Sequence, residues 1–432
     1  MIEITTTLPL FISSIYIILL YILYTKKIKK LSPAISMQFF WIIFISLALV
    51  FAGDINIGYL GIIWIIISIN FYSFGSIVAN GFYTKKSVPE KEVFWTINYA
   101  YCKKILIVAV TLFMVSSLYS IISTGIRFST FLDLNQLFDL NAQNAQDRYL
   151  NQFNFSLGER VRLQINTILS YFTPFLSGIF LVVSKNIKDK VLCWISFIPT
   201  IIGLLSSNAK LGLIVVVFFF VCGILTTQLL LYKKIPELNI RVIIKIVALI
   251  VIFFLLLFIA MILRAGRYDA YMIEILKIKF VNYIFGSVFA FDYWFNSTDT
   301  TQLYFGARTF NAVTNILGTF AREQGVYKLF YSEGFYNTNV YTVFRGIIED
   351  FGKIGGLIFM YTSGVIAGYS HRNILSNKPS AVCYAVLSAN YFFILYSFII
   401  SPWSYTSLIA VFILMALVLK ILKENRPLDS IK

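Results

Sequence analysis

Residues 105–126 read ILIVAVTLFMVSSLYSIISTGI, without one Asp, Glu, Lys or Arg. An apolar run of about 18 residues or more is long enough to cross the hydrocarbon core of a bilayer as a helix. Backbone amides find no water in that core, so a crossing segment must be a helix or part of a closed barrel. This run is continuous and does not alternate, which selects the helix. Residues 55–84, 164–184 and 379–419 are equally free of charge. Over the whole chain 59% of the 432 residues are hydrophobic and only 13% are charged. Soluble domains carry about a quarter charged residues, so much of this chain is solvated by something other than water.

The pattern predicts an all-α polytopic transmembrane helical bundle with one large, partly helical external loop. Eleven spans are expected: 8–24, 33–52, 58–80, 105–124, 166–184, 191–206, 211–231, 246–264, 355–370, 381–400 and 405–421. They divide the chain into an N-terminal membrane region, 1–264, with an outer loop at 125–165; a large outer loop, 265–354, expected to hold the catalytic groups; and a C-terminal membrane region, 355–432. The stretch 271–295 is aromatic but interrupted by Glu274, Lys277, Lys279 and Asp292. It is expected to lie in the outer interface or to re-enter the membrane as a hairpin, not to cross it.

Lysine and arginine placement sets the expected orientation. With the N-terminus outside and the C-terminus cytoplasmic, the cytoplasmic segments hold 22 of the 36 basic residues against six acids. The outer side keeps 14 of each sign, so the formal +16 is wholly cytoplasmic. Positive loops face the cytoplasm, which explains the basic balance without nucleic acid. The first apolar segment lacks a basic leader and a small-residue cleavage site, so it is expected to be retained. The cysteines, Cys102, Cys193, Cys222 and Cys383, lie in or beside spans, and no disulfide is expected. The one histidine, His371, falls at a cytoplasmic helix end. No HExxH, CxxC, DxD or glycine-rich phosphate loop occurs, and neither metal nor cofactor is expected.

Long structured outer loops cost ordering entropy and are usually functional. An enzyme acting on a membrane-bound substrate needs one to cover the reacting headgroup. The last part of the loop reads Asn339-Val-Tyr-Thr-Val-Phe-Arg345, then Glu349-Asp-Phe-Gly352 and Gly355. It resembles the N-x-Y-T-x-x-R…D-F-G-x-x-G signature of bacterial oligosaccharide repeat-unit polymerases, the Wzy-type O-antigen and capsule polymerases. Tyr283-Ile-Phe-Gly286 with Phe289 to Asp292, and the stretch Gly306 to Gly318, resemble that family's other loop segments. About a quarter of the chain is covered. Where the family leads one to expect Ser-Arg before the seventh span, this chain has Ser207-Asn-Ala-Lys210, which exchanges a bidentate contact for a point charge.

The resemblance implies transfer of a glycan from undecaprenyl diphosphate to a sugar hydroxyl of a second lipid-linked repeat unit, at the outer face of the bacterial inner membrane. It implies undecaprenyl-diphosphate-linked oligosaccharides as donor and acceptor, and a chain-length regulator as a partner. Elementary chemistry agrees. Diphosphate is a good leaving group that needs cations to offset its charge; arginine suits it because the planar guanidinium pairs with phosphate oxygens; and the acceptor hydroxyl needs a base. Arg345, Glu349 and Asp350 are the expected catalytic residues. Lys210, Arg264, Arg267, Arg308, Arg322, Asn339 and Tyr341 are the expected substrate-binding ones. If 339–351 is helical, Tyr341, Arg345 and Glu349 share a stripe and Asp350 lies on the adjacent face. If the eighth span continues, Arg264 and Arg267 share a face.

Plainer readings stand beside these. Arg345–Glu349 has the spacing of an ordinary helix ion pair. Arg264 suits a snorkelling cation, Asp350 a helix end capped by Gly352, and Asp292 a satisfied polar group at the interface. Tyr293, Trp294, Tyr304, Tyr336 and Trp403 fit either sugar stacking or the aromatic belt. Two other functions share the architecture. An O-antigen ligase of the resembling type carries an outer histidine, and none lies outside here. A flippase predicts internal repeats and mid-span charges, and the spans are nearly charge-free.

Overall fold

Ser32 and Pro33 open the first helix of the computed structural model, which describes residues 32–51, 58–81, 93–123, 126–149, 156–207, 210–234, 240–298, 302–320, 330–332, 335–376 and 379–427. Ser32 Oγ accepts the Ile35 amide at 3.4 Å, and Pro33 occupies the first helical position, where a missing N–H costs nothing. The expected span 8–24 lies outside the described residues.

Ten expected spans appear as helices: α1 (Pro33–Val50), α2 (Leu60–Gly81), α3 (Tyr99–Ser123), then, after α4 (Leu134–Tyr149), α5 (Leu157–Val183), the pair α6 (Ile187–Ile195) and α7 (Ile198–Ser207), α8 (Lys210–Tyr232) and α9 (Ile240–Ala265). After α10 (Ala270–Ser297) and α11 (Asn311–Ile316) come α12 (Thr342–Leu375), α13 (Ala381–Tyr396) and α14 (Thr406–Leu422). Eight segments among the described residues are long and apolar enough to cross a membrane, α6 and α7 counting together, and α13 and α14 are shorter apolar helices. The chain is a polytopic membrane protein.

Several boundaries differ from expectation. The span 191–206 is two helices broken at Ser196 and Phe197. α5 begins nine residues before position 166, because Ser156 and Glu159 close a capping box: Ser156 Oγ accepts the Glu159 amide and the Glu159 carboxylate accepts the Ser156 amide. The segment 125–165 therefore contains helical structure, including α4, whose Asn141 and Asn144 side chains donate to the carbonyls of Leu205 and Ser206 in the last turn of α7, at 2.8 Å. Most consequential, α12 starts at Thr342 and not near 355. Its register breaks at Gly352, with φ 75° and ψ 172°.

Close packing is set by glycine. A Cβ at Gly364 or Gly368 of α12 would overlap the carbonyl oxygens of Tyr72 and Ser76 on α2, and one at Gly75 would overlap that of Tyr361. α5 and α8 repeat the device with Gly178 and Gly223. Small residues that let helix backbones touch are the ordinary means of association where lipid removes the hydrophobic drive between helices. Polar contacts add to it, among them Trp41 Nε1 donating to Ser397 Oγ at 2.9 Å.

α10 differs from its neighbours. Its rings meet Phe254 and Phe258 of α9, then Phe44 of α1, then Trp64 of α2 and Phe344 of α12. α10 thus touches four helices in succession, and its last turns meet the starts of α2 and α12. At the opposite end, β1 (Val93–Ile97) pairs antiparallel with β4 (Lys423–Pro427), and Lys233 Nζ donates to the Ile374 carbonyl at the end of α12 at 2.7 Å. A short hairpin, β2 (Phe330–Ser332) and β3 (Phe335–Thr338), precedes α12.

Candidate functional site

The break at Gly352 organises the site. In a continuous helix the carbonyls of Glu349 and Asp350 would take the amides of Lys353 and Ile354. Here they accept the amides of Tyr304 and Phe305, at 3.0 and 3.2 Å. The next residues of the same turn are held by the Asp350 side chain, whose Oδ1 accepts the Arg308 amide at 3.0 Å and whose Oδ2 accepts that of Thr309. Ser401 and Ser404, on the loop between α13 and α14, donate to the carbonyls of Thr309 and Arg308 at 2.7 and 3.0 Å. Arg308, remote in sequence, is thereby fixed against the first turns of α12.

Its charge joins a cluster. Arg345 Nε donates to Glu349 Oε1 at 2.8 Å, and Arg308 Nε lies 3.6 Å from Glu349 Oε2. The three side chains are only 15%, 25% and 12% exposed for Arg345, Arg308 and Glu349. The cluster is therefore more shielded from water than the surface ion pair the i, i+4 spacing alone suggests. Aromatic faces hold both guanidiniums: Arg345 stands 4.3 Å from the Tyr341 ring centroid and 5.1 Å from Trp294, and Arg308 stands 4.4 Å from Tyr304. Burial raises the Tyr341 phenol above its ordinary range, and Arg345 beside it pulls the other way.

Asp292 places Trp294. It is buried, and its carboxylate accepts four amides at the start of α2: Gly58 at 2.7, Tyr59 at 3.1, Gly61 at 2.8 and Ile62 at 3.3 Å. The carboxylate thus caps a helix that belongs to another part of the chain. Burial raises its pKa while the four amides oppose that shift. A Cβ at Gly61 would overlap the Asp292 backbone, so the contact requires that glycine.

A second group of cations gathers further along α10. Lys210 Nζ lies 5.9 Å from the Tyr283 ring centroid, and Arg264 acts on the same phenol. At ~1.5 Å per residue, Tyr283 and Trp294 stand about 16 Å apart along α10. Arg267 does not share a face with Arg264. α9 ends at Ala265, Gly266 turns the chain with φ 65°, and Arg267 is exposed. Asn339 is exposed just before Tyr341, and Arg322 lies outside the described residues.

The structure thus brings Tyr341, Arg345, Glu349 and Arg308 together, with Asp350 behind them. Asp350 is fully buried and its two oxygens serve backbone amides, which fits a positioning role better than proton transfer. Trp294 and Tyr304 seat arginines. The sequence did not single out Lys353, whose Nζ lies 4.4 Å from the Phe295 ring centroid; its signal was its place as the last cation before the uncharged run 354–370. Backbone strain concentrates here too. Of the four non-glycine residues with positive φ among the described residues, Tyr59 (66°), Phe305 (47°) and Thr342 (65°) all border this end. No group of three or more His, Cys, Asp or Glu among the described residues is placed to hold a metal ion. No family model, curated protein or solved structure matches the chain.

Proposed function

We propose that this protein is a membrane glycosyltransferase of the polymerase type. It transfers a glycan from an undecaprenyl-diphosphate-linked donor to a sugar hydroxyl of a second lipid-linked repeat unit, at the outer face of the bacterial inner membrane. The observation that carries the reading is the Arg345–Glu349–Arg308 cluster, half-buried at the end of the bundle, with each guanidinium seated on an aromatic ring. In the reaction the bond between the anomeric carbon and diphosphate breaks, with its electron pair leaving on the diphosphate. The acceptor oxygen forms the new bond to that carbon and gives its proton to a base. The arginines offset the charge gathering on the leaving group. Glu349 orients both. Asp350 fixes the turn that carries Arg308.

The Lys210–Arg264 group supports a two-substrate reaction, because donor and acceptor each bring a lipid diphosphate and α10 bears one cation-lined ring at its middle, Tyr283, and another near its C-terminal end, Trp294. The orientation belongs to the same proposal, with the N-terminus outside and the C-terminus cytoplasmic. The pairing of β1 with β4 supports it, since it joins two segments that the lysine bias assigns to one side.

The test is deletion of the gene followed by gel analysis of surface polysaccharide. Loss of the polymerase leaves surface molecules capped with one repeat, whereas loss of a ligase leaves them uncapped. Complementation with Arg345→Ala, at normal protein level, is expected to leave single repeats. Restoration of full-length polymer by that variant would remove the assignment.

A further inference from the structure

Phe305 is strained and exposed at once. Its φ is 47°, a conformation bulky side chains avoid, and the residue is 75% exposed. Its amide is tied to the Asp350 carbonyl at 3.2 Å, so the strain is imposed by the same lacing that positions Arg308. Leu303, two residues earlier, lies against the break in α12, its Cδ2 3.7 Å from where a Cβ on Gly352 would stand. Beyond the break Ile354 is 77% and Ile358 60% exposed on α12, and Phe310 of the same turn packs on Phe359 at 5.9 Å between centroids. An apolar strip therefore runs from the arginine cluster down the lipid-facing side of α12.

We infer that this strip, Phe305, Leu303, Ile354 and Ile358, seats the first isoprenoid units of the lipid diphosphate whose head is held by Arg308 and Arg345. The inference rests on the reading under Proposed function and adds the place where the lipid chain lies. The occupant follows from complementarity. A pair of cations at one end of an exposed apolar strip matches an amphiphile with an anionic head and a hydrocarbon tail. Bulk lipid would cover Ile354 and Ile358 as on any span, but a strip that starts beside two seated arginines suits a hydrocarbon chain joined to an anionic head.

The experiment measures binding of inorganic diphosphate and of farnesyl diphosphate to the full-length protein in nanodiscs, with empty nanodiscs subtracted. Wild type is expected to prefer farnesyl diphosphate by about tenfold or more. Phe305→Gly and Ile354→Ser should each reduce that preference several-fold and leave inorganic diphosphate unchanged. Arg345→Ala should weaken both ligands. Phe305→Gly removes ring and strain together, so its unfolding temperature should not fall, which separates lost binding from lost folding. An unchanged preference in Phe305→Gly and Ile354→Ser means that bilayer lipid alone covers the strip, and overturns the inference while the arginine site stands. Failure of wild type to bind inorganic diphosphate overturns the arginine site itself, and the inference with it.

Discussion

Arg345 is held from three directions, by Glu349 Oε1, the Tyr341 ring and the Trp294 ring, and each contact uses the planar guanidinium. A lysine keeps the charge but neither forks nor stacks in that way. Arg345→Lys is therefore expected to lower polymer yield by tenfold or more at unchanged protein level, read on polysaccharide gels. The two neighbouring carboxylates should separate by their roles. Asp350→Asn leaves the Arg308 and Thr309 amides sharing one acceptor oxygen in a fully buried setting, at about 1–3 kcal/mol for an unsatisfied group, and should lower the unfolding temperature in detergent. Glu349→Gln should leave that temperature closer to wild type and reduce product. Adjacent in sequence, these residues were legible as a charged pair, and helical geometry put them on different faces. The partners of Asp350 were not legible, because nothing local in Arg308 or Thr309 announces a contact across some forty positions. Trp294 and Tyr304 fitted the aromatic belt equally well, since a ring that carries an arginine and a ring that anchors in lipid have the same composition.

At the scale of elements, the break in α12 is the decisive feature. Gly352 adopts a region that is essentially restricted to glycine, and holding another residue there costs about 1–3 kcal/mol. Gly352→Ala should lower thermal stability by that amount; alternatively it straightens α12, which returns the Glu349 and Asp350 carbonyls to helical partners and releases Tyr304 and Phe305. Either outcome should abolish polymer, and accessibility of a cysteine placed at Phe305 distinguishes them. The contact of α10 with α2 makes a parallel prediction. Asp292→Ala strips the acceptor from four amides and should destabilise by several kcal/mol, on the order of the ~1–3 kcal/mol per unsatisfied buried group after partial rescue by water. Four interspersed charges mark a departure from a plain span without saying whether the chain turns, so the sequence leaves 271–295 as interfacial or a re-entrant hairpin; the structure has one continuous helix, Ala270–Ser297, and no hairpin. Sequence periodicity missed the early start of α12, since an uncharged run marks only what the membrane must cover and Arg345, Glu349 and Asp350 precede it.

For the molecule as a whole, hydropathy carried most of the architecture. Ten expected spans have helices at their places among the described residues, because a chain with 59% hydrophobic residues has few alternatives once amides must pair internally. Hydropathy is silent on which helices touch, and there the reciprocal glycines of α2 with α12 and of α5 with α8 decide. The proposed orientation predicts that a cysteine at Phe305 reacts with an impermeant maleimide in intact cells, while one at Lys423 reacts only after permeabilisation; the reverse would invert the account. The central claim, that the Arg345–Glu349–Arg308 cluster extends a lipid-linked glycan, is tested most directly by reconstitution. Purified protein in vesicles would be given an undecaprenyl-diphosphate-linked repeat unit in the presence of a chelator. The account predicts a ladder of lengthening products from wild type and only the single repeat unit from Arg345→Ala. A ladder of equal length from Arg345→Ala would contradict it.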